Sequence, residues 1–189
     1  LLCGSKNRML HFIYTQPLSR VIIAMAIAIA IWGYARTKLY GKRWNIANAL
    51  LACGMVMAIL CITIMGRTTG ERTLILKPFA SLAAARSQSE AYRELLMNIF
   101  LFFPFGLTLS NALPQSWGRW RMIGLMVITG LLLSAGIEYI QYRFALGVAE
   151  TDDVICNTLG TFIGSTSLLI AHGIEKYNEK TIKHDSNKN

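Results

Sequence analysis

Five acid or amide side chains lie close together in this chain, between two long apolar runs. Glu138 and Gln141 precede a short polar connection, and Asp152, Asp153 and Asn157 follow it. A carboxylate inside an apolar, membrane-like segment costs on the order of 3 kcal/mol at mid-bilayer, so such groups usually face a bundle interior and find a partner. Carboxylates and amides can bind a polar ligand, and a carboxylate can act as a general base. This stretch is therefore the first candidate for a functional site.

Helical spacing brings these groups together. Glu138 and Gln141 are three residues apart and share one face of a helix, as do Asp153 and Asn157, which are four apart. Because the connection is short, the two helices are expected to pack antiparallel with these faces in contact. The predicted pocket has five members, Glu138, Gln141, Asp152, Asp153 and Asn157, with Arg143 beside it.

The composition indicates a membrane protein. Hydrophobic residues make up 53% of the 189 residues and charged residues only 15%, and the mean hydropathy is +0.42. The net charge of +9 comes from basic residues that lie between apolar runs rather than in one patch. That distribution is typical of contacts with lipid head groups and of topology control, so we expect membrane lipids and no nucleic acid as partners.

Five apolar runs are long enough to cross a bilayer. Because every backbone polar group in hydrocarbon needs an internal partner and no alternating period is present, the predicted fold class is all-α, a polytopic transmembrane helical bundle. Residues 1–20 form an N-terminal arm, 21–174 a single transmembrane domain and 175–189 a polar tail, a frayed helix followed by disorder. The predicted spans lie near 18–35, 46–65, 95–113, 122–142 and 154–174.

The loops alternate between the two sides of the membrane. The density of Lys and Arg favours placing the first and third loops and the tail in the cytoplasm. Whichever way the bundle points, the second and fourth loops share one side. Arg67 and Arg72 of the second loop are therefore expected to face the same compartment as the acidic hairpin.

Several of these residues have a structural interpretation as well. Asp152 is expected to cap the fifth helix, since carboxylates near a helix N-terminus accept its free N–H groups. For Glu138, Asp153 and Asn157, binding and structural roles stay equally open, and Asn98 can join the pocket or hydrogen-bond between helices. Pro104 and Gly106 are expected to kink the third span, and Gly160 and Gly164 form a GxxxG motif for close helix packing.

Metal and nucleophilic chemistry have little support in the sequence. An oxygen-only site for Mg²⁺ or Ca²⁺ could use Glu138, Asp152 and Asp153, but no His lies near them and the cysteines lack metal-site spacing. We expect no metal and no cofactor.

The order of these short motifs resembles that of a VanZ-like membrane protein. The similarity covers about 65–170, over half of the chain, and Arg143 is the candidate for an arginine that such proteins carry near the acidic segment. The motif residues are Arg67, Leu76 to Phe79, Asn98, Pro104, Gly106, Glu138, Gln141, Asp152, Asp153, Asn157, Gly160 and Gly164.

The resemblance implies a multi-pass protein of the bacterial cell membrane that contributes to resistance against lipoglycopeptide antibiotics, teicoplanin above all. The residues predict an outward-facing polar pocket, and together with the resemblance they lead to the hypothesis that this pocket engages the antibiotic or a lipid-linked wall component. Its candidate ligand-binding residues are Arg67, Asn98, Glu138, Gln141, Arg143, Asp152, Asp153 and Asn157. Two alternatives stay open, an envelope enzyme that uses Glu138 or Asp153 as general base, and a transport or accessory subunit.

Overall fold

The computed structural model describes residues 18–39, 41–65, 67, 69–84, 89–114 and 116–186. Most of the N-terminal arm and the last three residues of the tail lie outside the described residues. In chain order the elements are α1 (Leu18–Lys38), α2 (Lys42–Thr63), β1 (Thr73–Ile75), α3 (Ala80–Ala84), α4 (Ser89–Ala112), α5 (Arg119–Arg143), β2 (Val148–Glu150), α6 (Thr151–Ser165) and α7 (Ser167–Ser186).

The all-α prediction is confirmed. Within the described part of the chain, five helices are long and apolar enough to cross a membrane. The fifth combines α6 and α7, which are separated by one turn residue, Thr166. The polar tail, for which the sequence favoured a frayed helix followed by disorder, continues α7 as far as Ser186.

The closest packing in the bundle is between α4 and α6. Gly106 of α4 and Gly160 and Gly164 of α6 lie where the two backbones meet, and a methyl group at any of them would overlap a backbone carbonyl of the other helix. Small residues allow this close approach. α4 continues through Pro104, and the Thr108 hydroxyl donates a 2.8 Å hydrogen bond to the Pro104 carbonyl. This contact between α4 and α6 holds the N-terminal ends of the two helices in a fixed position relative to the connecting loops.

The hydrophobic core is formed where α2, α4 and α5 meet. Ile59, Phe102, Phe105 and Ile137 are buried together, and the two phenylalanine rings pack edge to face with centroids 6.4 Å apart. Edge-to-face geometry is a preferred arrangement of aromatic rings. This core supports the C-terminal end of α5, which carries Glu138 and Gln141.

A small parallel sheet joins the second and fourth loops. β1 pairs with β2 in the register Thr73 to Val148, Leu74 to Ala149 and Ile75 to Glu150, and the Gly70 N–H donates to the Ala145 carbonyl at 2.8 Å. The sequence predicted loops here, because three-residue strands are too short to show a period of two. The pairing holds the two loops on one side of the bundle, in agreement with the alternation of the spans.

Candidate functional site

A polar cleft of about 450 Å³ opens at the end of the bundle that carries the sheet. It lies between the second loop, the N-terminal part of α4, β2 and the first turn of α6. Its lining residues are Arg67, Ser81, Glu94, Leu95, Met97, Asn98, Val148, Glu150 and Asp153. We refer to it below as the polar cleft.

Asp153 and Asn98 form the centre of the polar cleft. The Asn98 amide donates a 2.6 Å hydrogen bond to the Asp153 carboxylate, which joins α4 to α6. Hydrogen bonds to an ionised acceptor are shorter and stronger than neutral ones. Asn98 therefore lines the polar cleft and also connects two helices.

Arg67 supplies the positive charge of the polar cleft. It interacts electrostatically with Glu138 and Asp153, and its guanidinium donates to the Leu146 carbonyl at 3.2 Å. Gly147 leaves room for the Arg67 guanidinium, because a Cβ at residue 147 would lie 2.6 Å from it. The φ of Gly147 is also +126°. A residue with a side chain would be strained in that conformation and would displace the arginine.

Glu138 is buried and lies on the other side of β2. Its carboxylate accepts a 3.0 Å hydrogen bond from the Glu150 N–H. It lines a second cavity of about 260 Å³, the apolar cleft, together with Leu74, Leu76, Ala135, Tyr139, Tyr142, Ala149, Glu150, Thr151 and Val154. Successive side chains of a strand point to opposite faces, and accordingly Val148 lines the polar cleft while Ala149 lines the apolar cleft. The sequence predicted a single pocket, whereas the structure has two clefts that are both lined by Glu150.

The sequence led us to expect that Asp152 caps its own helix, but it does not. The N-cap of α6 is Glu150, which makes no side-chain capping hydrogen bond. The buried Asp152 carboxylate instead accepts hydrogen bonds from the Phe79 N–H at 2.5 Å and the Ser81 N–H at 2.7 Å. Strand pairing places the start of α3 against α6, so the carboxylate satisfies the free N–H groups of a different segment.

Gln141 and Asn157 are buried inside the bundle and do not line the polar cleft. The Gln141 amide donates to the Thr63 carbonyl at 3.1 Å, and the Asn157 amide donates to the Ser134 hydroxyl at 2.8 Å. Their side-chain oxygens have no hydrogen-bond partner among the described residues. Both residues join helices, as interhelical amides in membrane bundles do.

Arg143 lies away from both clefts. It is exposed, and its guanidinium is 5.9 Å from the centre of the Phe144 ring. Arg143 is the last residue of α5 and lines neither the polar cleft nor the apolar cleft.

Three polar groups of the site were missed by reasoning from the sequence. Glu94, Glu150 and Ser81 all line the polar cleft, and the Ser81 hydroxyl donates to the Glu150 carboxylate at 2.6 Å. Glu94 precedes Asn98 by one helical turn, a spacing that could have identified it. No comparable pattern marks Ser81 or Glu150, because β1–β2 pairing brings them together.

Within the part of the chain that the structure describes, no group of three or more His, Cys, Asp or Glu side chains is arranged to hold a metal ion. Hydrogen bonding and charge are the interactions that the polar cleft offers.

Comparison with known proteins identifies the family. Residues 49–172 match the VanZ/LLP1 family model, and a 96-residue segment is 34% identical to a curated protein from Enterococcus faecium named Protein VanZ. That alignment covers 50% of this chain and 51% of the relative, so the chain spans about half the length of the relative it matches. No solved structure matches the chain. The matched region includes both clefts, two of the membrane-length helices in full and most of two others, and the chain belongs to the VanZ/LLP1 family of membrane proteins.

Proposed function

We propose that this protein is a multi-pass protein of the bacterial cell membrane that contributes to resistance against lipoglycopeptide antibiotics such as teicoplanin. In this proposal the polar cleft engages either the antibiotic or a lipid-linked wall component. The observation that carries it is the convergence of Arg67, Asn98 and Asp153, from three separate segments, on one cleft at the end of the bundle. Membership of the VanZ/LLP1 family supports the link to resistance.

The chemistry of the polar cleft supports binding by hydrogen bonds and charge. Arg67 is a donor, and the carboxylates of Glu94, Glu150 and Asp153 are acceptors. A small number of placed polar groups in a cleft is typical of ligand sites in proteins. The lower density of Lys and Arg in the second and fourth loops favours an outward-facing cleft, toward the compartment that holds the cell wall.

The enzyme and transport alternatives have less support. Glu138 and Asp153, the two candidate general bases, line different clefts, so an enzyme would use one of them without the other as its partner. The contact between α4 and α6, whose backbones touch at Gly106, Gly160 and Gly164, leaves no room for a transport path between these two helices. Binding at one membrane surface agrees with both observations.

Killing curves with matched teicoplanin and vancomycin in a susceptible host test the proposal. We compare the wild type with Asp153→Asn and Asn98→Ala at equal membrane levels. Loss of one charge-assisted hydrogen bond weakens binding about 10- to 100-fold, so both variants are expected to lose most of the teicoplanin protection.

Glu71→Gln is the matched control for Asp153→Asn. Glu71 is an exposed carboxylate of the second loop that does not line the polar cleft, so protection is expected to be unchanged. Full teicoplanin protection in both cleft variants would refute the proposed role of the polar cleft.

A further inference from the structure

The loops around the sheet expose apolar side chains although they lie outside the spans. Leu76 is 70% exposed, Phe144 is 60% exposed and Phe79 is 58% exposed. Connections between spans are usually polar where they face water, and amphipathic segments with exposed aromatic and leucine side chains lie in the membrane interface. The sheet end of the bundle is therefore expected to rest at the level of the lipid head groups.

The apolar cleft opens toward the surface of α5 that faces hydrocarbon. Its lining includes Ala135 and Tyr139 on the outer face of α5, and Tyr139 and its neighbour on that face, Leu132, are each 67% exposed. An exposed apolar surface on a membrane-length helix contacts lipid chains. The apolar cleft is thus accessible from within the bilayer.

Only one short strand separates the two clefts. Asp153 and Val154 are consecutive residues of α6, yet Asp153 lines the polar cleft and Val154 the apolar cleft. Glu150, the last residue of β2, lines both. A single molecule with a polar head and a hydrocarbon chain can occupy the two clefts together.

The charges in the polar cleft select the sign of the head group. Three carboxylates, Glu94, Glu150 and Asp153, face one guanidinium, that of Arg67. Among the described residues, that guanidinium donates a hydrogen bond to the Leu146 carbonyl and acts on the Asp153 carboxylate through its charge. An ammonium group has three donors and a positive charge, and it complements such a set of acceptors.

On the basis of the function proposed above, we infer that the ligand is an amphiphile with a primary ammonium group, which enters from the bilayer. Its ammonium group binds between Asp153, Glu150 and Glu94, and its hydrocarbon chain lies in the apolar cleft beside Ala135 and Val154.

Photo-crosslinking of the full chain in lipid nanodiscs tests this inference. The probe is a lysine amide whose α-nitrogen carries a dodecanoyl chain with a diazirine, so that it has both a chain and a free ammonium. The expected result is saturable labelling of β1 and α5 beside the apolar cleft. The same compound built on norleucine lacks the ammonium and is expected to label only in proportion to its concentration.

Two substitutions separate the two halves of the ligand. Asp153→Asn is expected to raise the half-saturating probe concentration about 10- to 100-fold, because one charged hydrogen bond is lost. Ala135→Phe fills the apolar cleft from an exposed position and is expected to abolish saturable labelling. Ala24→Phe, on the exposed face of α1, is the control and is expected to label as the wild type does. Equal labelling by the lysine and norleucine probes, or wild-type labelling of Ala135→Phe, would overturn the inference.

Competition distinguishes the sources of the ligand. Unlabelled teicoplanin and a lipid-linked, lysine-containing muropeptide are added separately, and displacement of the probe by either one supports the inference and identifies the natural ligand. If neither displaces a probe that still requires Asp153 and Ala135, the inference about the site holds and the proposed resistance role fails. If protection from teicoplanin requires Asp153 but the probe does not bind saturably, the proposed resistance role holds and the inference about an ammonium amphiphile fails.

Discussion

Arg36 and Arg67 lie at opposite ends of the bundle, each lining a cleft. Arg36 is only 3% exposed, and its guanidinium donates to the carbonyls of Ser110, Asn111 and Leu113 at 3.3–3.4 Å. These carbonyls belong to the last turn of α4 and the residue that follows it. Arg67 is exposed, and it donates to one loop carbonyl, that of Leu146.

The two arginines have different consequences for the molecule. A helix C-terminus leaves backbone carbonyl groups without hydrogen-bond donors and carries a partial negative charge. Inside the bundle, the Arg36 guanidinium donates to these carbonyls, and its positive charge offsets the partial negative charge. Arg67 has no such set of backbone acceptors and instead faces the carboxylates that line the polar cleft. Arg36 and its carbonyl acceptors thus stabilise the fold, whereas we propose that the residues lining the polar cleft at the Arg67 end are available to a ligand.

The largest expected effect is that of removing Arg36. Arg36→Ala leaves the carbonyls of Ser110, Asn111 and Leu113 without this donor. We expect it to lower the free energy of unfolding by about 3–5 kcal/mol, because each buried acceptor left unsatisfied costs about 1–3 kcal/mol. Reversible unfolding in mixed micelles measures this. Arg121→Ala removes an exposed arginine of α5 from the same end and is expected to change the stability by less than about 0.5 kcal/mol. Equal stabilities of the two variants would contradict the structural role of Arg36.

The sequence was sufficient to predict the helices and one contact of the site. Runs of apolar residues define spans without knowledge of tertiary contacts, because the length and the hydropathy needed to cross a bilayer are local properties. The alternation of loops placed Arg67 and Asn98 on the side of the acidic hairpin, and helical spacing placed Asp153 and Asn157 on one face of their helix. These predictions depend on the number of spans and on residue spacing along a helix, and both can be determined from a single sequence.

The sequence could not show which side chains form hydrogen bonds with backbone groups of distant segments. Asp152 precedes an apolar helix, which is the pattern of an N-cap, but β1–β2 pairing brings the Phe79 and Ser81 N–H groups to it. Arg36 follows a span like any topology-determining arginine, and no spacing indicates that it turns inward. Both roles depend on contacts more than 70 residues apart in the chain.

A smaller effect is expected from Asp152, which lies at the Arg67 end but has a structural role. Phe79 has a φ of +63°, a conformation that is unfavourable for a bulky side chain. Asp152→Ala removes both hydrogen bonds that hold this turn, and we expect a loss of about 2–3 kcal/mol in the same unfolding assay. Asp152→Asn keeps one acceptor oxygen and is expected to lose about half as much. A wild-type stability of Asp152→Ala would show that the strand pairing alone holds the turn.

The smallest stability effect, and the sharpest test of the comparison, is expected for Arg67. Its guanidinium is exposed and donates a hydrogen bond to a loop carbonyl, so Arg67→Ala should change the free energy of unfolding by less than about 1 kcal/mol. In the function proposed above, Arg67 donates to acceptor oxygens of the bound antibiotic or wall component, so the same substitution is expected to remove this contact and most of the protection from teicoplanin. Arg143→Ala is the matched control, because it removes an exposed arginine of the same end that lies beside Phe144 and outside both clefts. A stable Arg67→Ala variant with full protection would mean that the cleft arginine, like Arg143, belongs to the surface and not to the site.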